Sequence, residues 1–246
     1  MKKNILIVSV LLIIDGCNNS KEKTPPAPGS VVVSVIDDVT DKHTLRPLAD
    51  PLLHLYRCND NPDEECLFLR REISDRMLTP ASYCRLADGK STAKENKEND
   101  PQYRKRNVIA FYERVRQILG ESNQREDTIY SLNNSECFRT IGSELTLLAA
   151  NSCTQNYLAI FSDLNEKSDL YDVYNHAPVA KEIENIILEN DLFPEKMDKI
   201  TVFFVFSPKD REQDKQYNLI ASVFKKLIES KGGRVIIQAS NSSYNL

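Results

Sequence analysis

The chain has 246 residues, with 32 lysines and arginines against 36 aspartates and glutamates, for a formal net charge of −4. That mild acidity, with no basic stripe interleaved with aromatics, leaves a nucleic-acid partner no electrostatic footprint, and none is expected. There is no G-x-S-x-G, no H-E-x-x-H and no phosphate-cradling glycine loop among only seven glycines, so no catalytic residue is assigned and the chain is not read as an enzyme.

Lys2 and Lys3 precede an apolar run from Ile5 to Ile14. A spanning helix needs roughly 20 apolar residues, whereas the apolar core of an export signal is about this short. No later run reaches spanning length. The run ends Ile14-Asp15-Gly16-Cys17. This resembles the lipobox of bacterial lipoproteins, which has an aliphatic residue three before the cysteine and a small one just before it; Asp15 departs from that pattern. The resemblance implies a signal peptide over 1–16 and cleavage before Cys17. Lipid on Cys17 would then anchor the chain to a membrane outside the cytoplasm, in the cell envelope, at the outer membrane or the periplasmic face. Two or more acyl chains anchor stably where one is marginal. Residues 17–30 are polar and proline-rich without apolar periodicity, which suits a stiff, solvated tether rising roughly 3 Å per residue.

From residue 31 the texture changes. Val31-Val32-Val33-Ser34-Val35-Ile36 suits a strand buried on both faces, as in a parallel sheet between helix layers. It ends in Asp37-Asp38-Val39-Thr40-Asp41. His43 to Tyr56 is helix-compatible, with Pro47 and Pro51 making its start irregular. Residues 58 to about 106 read as an irregular insertion, in which Leu67 to Met77 fits a short strand or helix and Lys90 to Arg106 mixes both charge signs as solvated loops do. Cys58, Cys66 and Cys84 fall here. In an oxidising compartment they are disulfide candidates, and their connectivity stays open. Cys137 and Cys153 bracket a helix that would hold them roughly 20 Å apart.

Val108 to Leu119 has the spacing of an amphipathic helix. The alternation then becomes regular. Ser135 stands as N-cap of a helix through Ala149, and Tyr157 to Phe161 is a buried strand ending in Ser162-Asp163. Val179 to Leu188 is a helix, Ile200 to Phe206 a strand, Tyr217 to Ser230 a helix closed by Gly232-Gly233, and Arg234 to Gln238 a last strand. Such alternation predicts an α/β fold with a three-layer, doubly wound, mostly parallel sheet of Rossmann-type topology.

Ligands of open α/β sheets sit at the carboxyl ends of the strands. Two such ends carry oxygen ligands here, Asp38-Val39-Thr40 and Ser162-Asp163, a set suited to a hard divalent cation, Mg²⁺ above all. The plainer alternative is that Asp38 and Asp163 only cap backbone N–H groups. Ile-Asp-Asp-Val-Thr-Asp and Phe-Ser-Asp-Leu, with the order of elements across residues 31–246, resemble the von Willebrand factor A domain in a divergent bacterial form. The resemblance implies a metal-ion-dependent adhesion site with Asp38, Thr40 and Asp163 as ligands and Ser135 or Thr140 as a further one. Lys42 stands where that family has another oxygen ligand. It also implies a protein or glycan partner. A metal-free structural or assembly lipoprotein is the alternative function. A hydrolase, in which His43 or His176 serves as base to a free cysteine, is the third.

Overall fold

The computed structural model describes residues 30–40, 44–58, 60–61, 64–73, 82–88, 101–125, 134–151, 153 and 155–244. The signal peptide 1–16, Cys17 with the tether up to residue 29, and Lys42 with His43 lie outside the described residues. In chain order the elements are β1 (Val31–Asp38), α1 (Ala49–Leu53), β2 (Cys66–Ile73), β3 (Ser82–Leu86), α2 (Pro101–Arg125) and α3 (Cys137–Ala149). They continue with β4 (Gln155–Phe161), α4 (Ala180–Glu189), β5 (Ile200–Val205), α5 (Arg211–Ser230) and β6 (Arg234–Gln238).

The strands form one six-stranded sheet in the order β3-β2-β1-β4-β5-β6. All neighbours are parallel except β3, which runs antiparallel to β2 at the edge. β1 therefore sits inside the sheet, and all eight of its residues are buried. Its side chains alternate between two cores, as the two-residue strand period requires. Val32 and Ile36 join α3, α4 and α5 on one face. Val31, Val33 and Val35 join α1 and α2 on the other. The result is a three-layer α/β architecture with a mostly parallel, Rossmann-like sheet, as the alternation of elements predicts.

The stretch read as an irregular insertion needs correcting in part. The short strand or helix expected over Leu67 to Met77 is strand β2 (Cys66–Ile73), and Ser82–Leu86, which was not expected to be regular, is β3; both are integral strands that extend the sheet beyond β1. The helix expected over His43 to Tyr56 contracts to the single turn of α1, where Pro51 stands in the first turn and its missing N–H has no intrahelical use. α2 starts at Pro101, the first helical position that proline favours, and runs well past the amphipathic core expected at Val108 to Leu119. α5 begins at Arg211, earlier than Tyr217, because Asp210 caps it by accepting from the N–H groups of Glu212 and Gln213 at 2.8 and 2.9 Å. It closes at Gly232, whose φ of +89° is the left-handed turn that ends helices.

Candidate functional site at the ends of β1 and β4

β1 and β4 lie side by side with Asp37 level with Phe161, so the next residues, Asp38 and Ser162, meet at the carboxyl edge of the sheet. Ser162 Oγ donates to Asp38 Oδ2 at 2.7 Å. The other oxygen, Oδ1, accepts from Thr40 N at 2.9 Å and from the Thr40 hydroxyl at 2.6 Å. The Thr40 hydroxyl is also 3.3 Å from that of Ser135. One carboxylate and three hydroxyls thus converge where β1, β4 and the segment entering α3 come together. Burial holds the Asp38 carboxyl above the usual carboxylate range, partly offset by the hydrogen bonds from Ser162 and Thr40, while neighbouring Asp37 pushes it further up.

The turn after β4 is built around the same point. Leu164 adopts φ +62°, a left-handed conformation costly for a side chain with a Cβ, yet its side chain is wholly buried in the core. This backbone lets Leu164 N donate to Ser162 Oγ at 2.9 Å, so the hydroxyl is held while it donates to Asp38. Asp163 follows. Its carboxylate accepts from Asn165 N at 2.9 Å and Asn165 Nδ2 at 2.6 Å.

Ser135 does not cap α3. Its N–H and C=O pair with Lys167 at 3.0 and 3.1 Å, which frees the hydroxyl to face Thr40. The N-cap position falls on Glu136, whose side chain makes no cap hydrogen bond. Glu166 takes the capping role from outside the helix: its Oε2 accepts from Phe138 N at 2.7 Å, and its other oxygen accepts from the Ser168 hydroxyl. Burial pushes the Glu166 carboxyl up to about 7, against the pull of those two donors. Cys137, at the start of α3, lies 3.9 Å from Ser162 Oγ, and burial among Glu166 and Asp38 drives its thiol well above the ordinary range.

On the opposite face of β1, Asp37 is wholly buried and bridges to Arg70 Nη2 at 2.7 Å, with Arg46 Nη1 at 3.7 Å. Arg46 and Thr44 also donate to the Asp38 carbonyl. These contacts tie the chain after β1 down onto the strand end.

Of the residues expected to hold a cation, Asp38, Thr40 and Ser135 are brought together. Asp163 stands at the same edge with its carboxylate engaged by Asn165, and Thr140 lies further along α3, buried, with its N–H bonded to Glu136. Ser162 was expected only as a strand-end oxygen beside Asp163 and not as a ligand, and Glu166 was not anticipated at all. The sequence offered Ser162 and Asp163 together as strand-end oxygens, and the register of β1 against β4 is what puts Ser162, rather than Asp163, level with Asp38. Glu166 carried no signal, because an acidic residue in the polar block Asp163–Asp172 reads as solvated. Among the described residues, no three His, Cys, Asp or Glu side chains converge as metal ligands, so any cation here relies on hydroxyl oxygens. No described helix is long and apolar enough to cross a membrane. All five described cysteines are thiols.

No protein-family model matches this chain, and no curated protein matches its sequence. The fold and the strand-end cluster define a three-layer α/β protein with a mostly parallel Rossmann-like sheet and a polar centre at its carboxyl edge.

Proposed function

We propose that the chain is an exported, lipid-anchored protein of the cell envelope, tethered through Cys17, whose body is a divergent von Willebrand A-like module that binds a protein or glycan partner. The observation that carries this reading is the meeting of Asp38, Thr40, Ser135 and Ser162 at the carboxyl ends of β1 and β4. A β3-β2-β1-β4-β5-β6 order with β3 antiparallel at the edge supports it. The oxygen-only donors suit a hard cation. Asp38, Thr40 and Ser135 would hold Mg²⁺, with Asp163 joining once released from Asn165. The cation would supply a Lewis-acidic position for a carboxylate or hydroxyl of the partner.

One observation favours a second reading, a metal-free structural or assembly lipoprotein of the envelope. Both Asp38 oxygens already accept hydrogen bonds and the side chain is wholly buried, so the centre is satisfied as it stands. Melting the protein across an Mg²⁺ series separates the two. At ~100 times the dissociation constant a bound ion stabilises by about 2.7 kcal/mol. The metal-dependent reading requires a rise in melting temperature that Asp38→Ala and Asp163→Ala both abolish, together with partner capture from native envelopes that EDTA reverses. No shift up to ~10 mM, well above ~100 times any micromolar constant, leaves the metal-free reading. The anchor is checked independently: Cys17→Ser should release the protein from membranes, and absence of acyl label on the wild type would remove the lipoprotein assignment.

A further inference from the structure

Ser162 and Asp163 leave β4 as neighbours, yet the turn assigns them different partners. Leu164 N donates to Ser162 Oγ and Asn165 N to Asp163 Oδ1, both at 2.9 Å, so each side chain is tied to the backbone two residues on. Ser162 then donates to Asp38. Asp163 is held instead by Asn165, whose Nδ2 donates to the second carboxylate oxygen at 2.6 Å. Asn165 thus engages both Asp163 oxygens. Between the two ties stands Leu164, whose φ of +62° is a strained conformation for a residue with a Cβ. Such residues persist only where their surroundings enforce them, and they gather at sites that switch.

The hold on Asp163 reaches into α5. Gln216 Nε2 donates to Asn165 Oδ1 at 2.6 Å. Chemistry fixes the direction of this relay. An ionised carboxylate only accepts, so Asn165 turns its amide nitrogen to Asp163, its oxygen is left for α5, and Gln216 supplies the donor. Gln216 is firmly placed. The next residue, Tyr217, is buried with its ring centroid 4.9 Å from that of Phe206 just past β5, and Asp210 caps the start of the helix.

We infer that Asn165 and Gln216 are positioning residues that hold Asp163 off the strand-end centre, so that the first turns of α5 set the centre's affinity for a divalent cation. The inference rests on the cation-binding reading above. With the relay closed, the centre offers a cation the Asp38 carboxylate and the hydroxyls of Thr40 and Ser135. Opening it breaks the bond from Asn165 Nδ2 and lets Asp163 turn inward as a second carboxylate. The grip of an oxygen site on a divalent cation tightens as charged ligands are added. The coupling is reciprocal: whatever draws Gln216 from Asn165 tightens the hold on the cation, and a bound cation loosens the tie between Asn165 and α5.

The test is a Mn²⁺ titration of the full chain, with free Mn²⁺ read by electron spin resonance; Mn²⁺ takes the same hard oxygen ligands as Mg²⁺. Wild type is compared with Asn165→Ala and with Gln216→Met, which keeps the length of the side chain and removes the donor. Each variant is also combined with Asp163→Ala. Asn165→Ala should bind roughly ten-fold tighter, equivalent to about 1.4 kcal/mol and near the lower end of what a hydrogen bond to a charged group contributes. Gln216→Met should shift affinity in the same direction by less, and Asp163→Ala should erase both gains. Urea midpoints without metal should fall in Asn165→Ala, so that affinity rises while the apo fold weakens. A purely structural role predicts no gain in affinity. Equal dissociation constants in wild type and the variants overturn the inference and leave the cation reading standing. A gain that survives Asp163→Ala also overturns it, and no Mn²⁺ binding by any form overturns both. If Asn165→Ala fails to fold, the comparison of Gln216→Met with wild type decides.

Discussion

Asp38 and Ser162, the residues just past the last paired rung of two neighbouring parallel strands, are both buried and share a 2.7 Å hydrogen bond at the carboxyl edge of the sheet. The bond joins two halves of the fold that are far apart in sequence. The Asp38 carboxylate accepts from the hydroxyls of both Thr40 and Ser162, one on each oxygen.

Ser162→Ala tests that bond. It leaves one Asp38 oxygen and Leu164 N without their present partner in a dry environment, and such an orphaned group costs about 1–3 kcal/mol. Urea denaturation should show a loss in that range, larger than for Thr40→Ser, which keeps its hydroxyl. A loss no greater than an exposed serine's would mean that water replaces the bond.

Arg70 is the companion test on the other face. Its guanidinium is nearly buried and pairs with wholly buried Asp37 at 2.7 Å, while Arg46 is a looser partner at 3.7 Å. Arg70→Met leaves the Asp37 carboxylate poorly compensated and should cost about 3–5 kcal/mol. Asp37→Asn combined with Arg70→Met should recover most of that, because no buried charge is left. Chemical denaturation of the three variants in a double-mutant cycle measures the coupling, and additivity would show that the pair is idle.

These same charges explain what the sequence concealed. β1, β4, β5 and β6 were legible because their apolar runs face two cores, and the bounds of β6 fall where the pattern put them. β2 reads Cys-Leu-Phe-Leu-Arg-Arg-Glu-Ile, and its charged half looks like a solvated surface. Yet Arg70 turns to Asp37 on one face and Arg71 to buried Glu144 at 2.7 Å on the other. Glu144 in turn accepts from Ser34 of β1 at 2.6 Å. Buried ion pairs erase the hydrophobic period on which strand reading depends. The site was legible to the extent that strand-end oxygens mark a carboxyl edge. What sequence could not give was register, and one residue of register decides that Ser162 meets Asp38 while Asp163 meets Asn165.

Gly142 carries a prediction in which two effects oppose each other. Alanine is the better helix former by about 1 kcal/mol. A Cβ here, however, would stand 2.4 Å from the Leu192 carbonyl oxygen and 3.3 Å from Leu192 Cβ, where the turn after α4 crosses α3. The contact is backbone and cannot swing aside, and overpacking of this kind costs typically about 1–3 kcal/mol. Gly142→Ala should therefore lower the melting temperature. A rise would mean that the turn relaxes freely and that helix propensity wins.

The pH dependence of stability should bear the mark of Glu166. In the unfolded chain its carboxyl titrates near 4.5; in the fold, burial against α3 raises it to about 7. A raised acid is one that the fold prefers protonated. Its stabilising contribution is complete below 4.5, declines as the unfolded chain gives up a proton that the native state keeps, and is gone once the pH has passed about 7. Since one pKa unit corresponds to about 1.4 kcal/mol, the loss over that interval is on the order of 3 kcal/mol. Arg139, paired with Glu136 at 2.8 Å, pulls the other way, as do the donors Phe138 N and the Ser168 hydroxyl, but burial outweighs them. Glu166→Gln keeps a carbonyl oxygen to accept from Phe138 N and removes the titration. Urea midpoints measured from pH 4.5 to 8 should fall with rising pH in the wild type and flatten in Glu166→Gln. The variant should keep only a residual slope from Asp38, whose carboxyl is also raised by burial and acts in the same direction. A wild-type midpoint that climbs through this interval would show that the helix N-terminus holds Glu166 ionised, the N–H of Phe138 having won over desolvation.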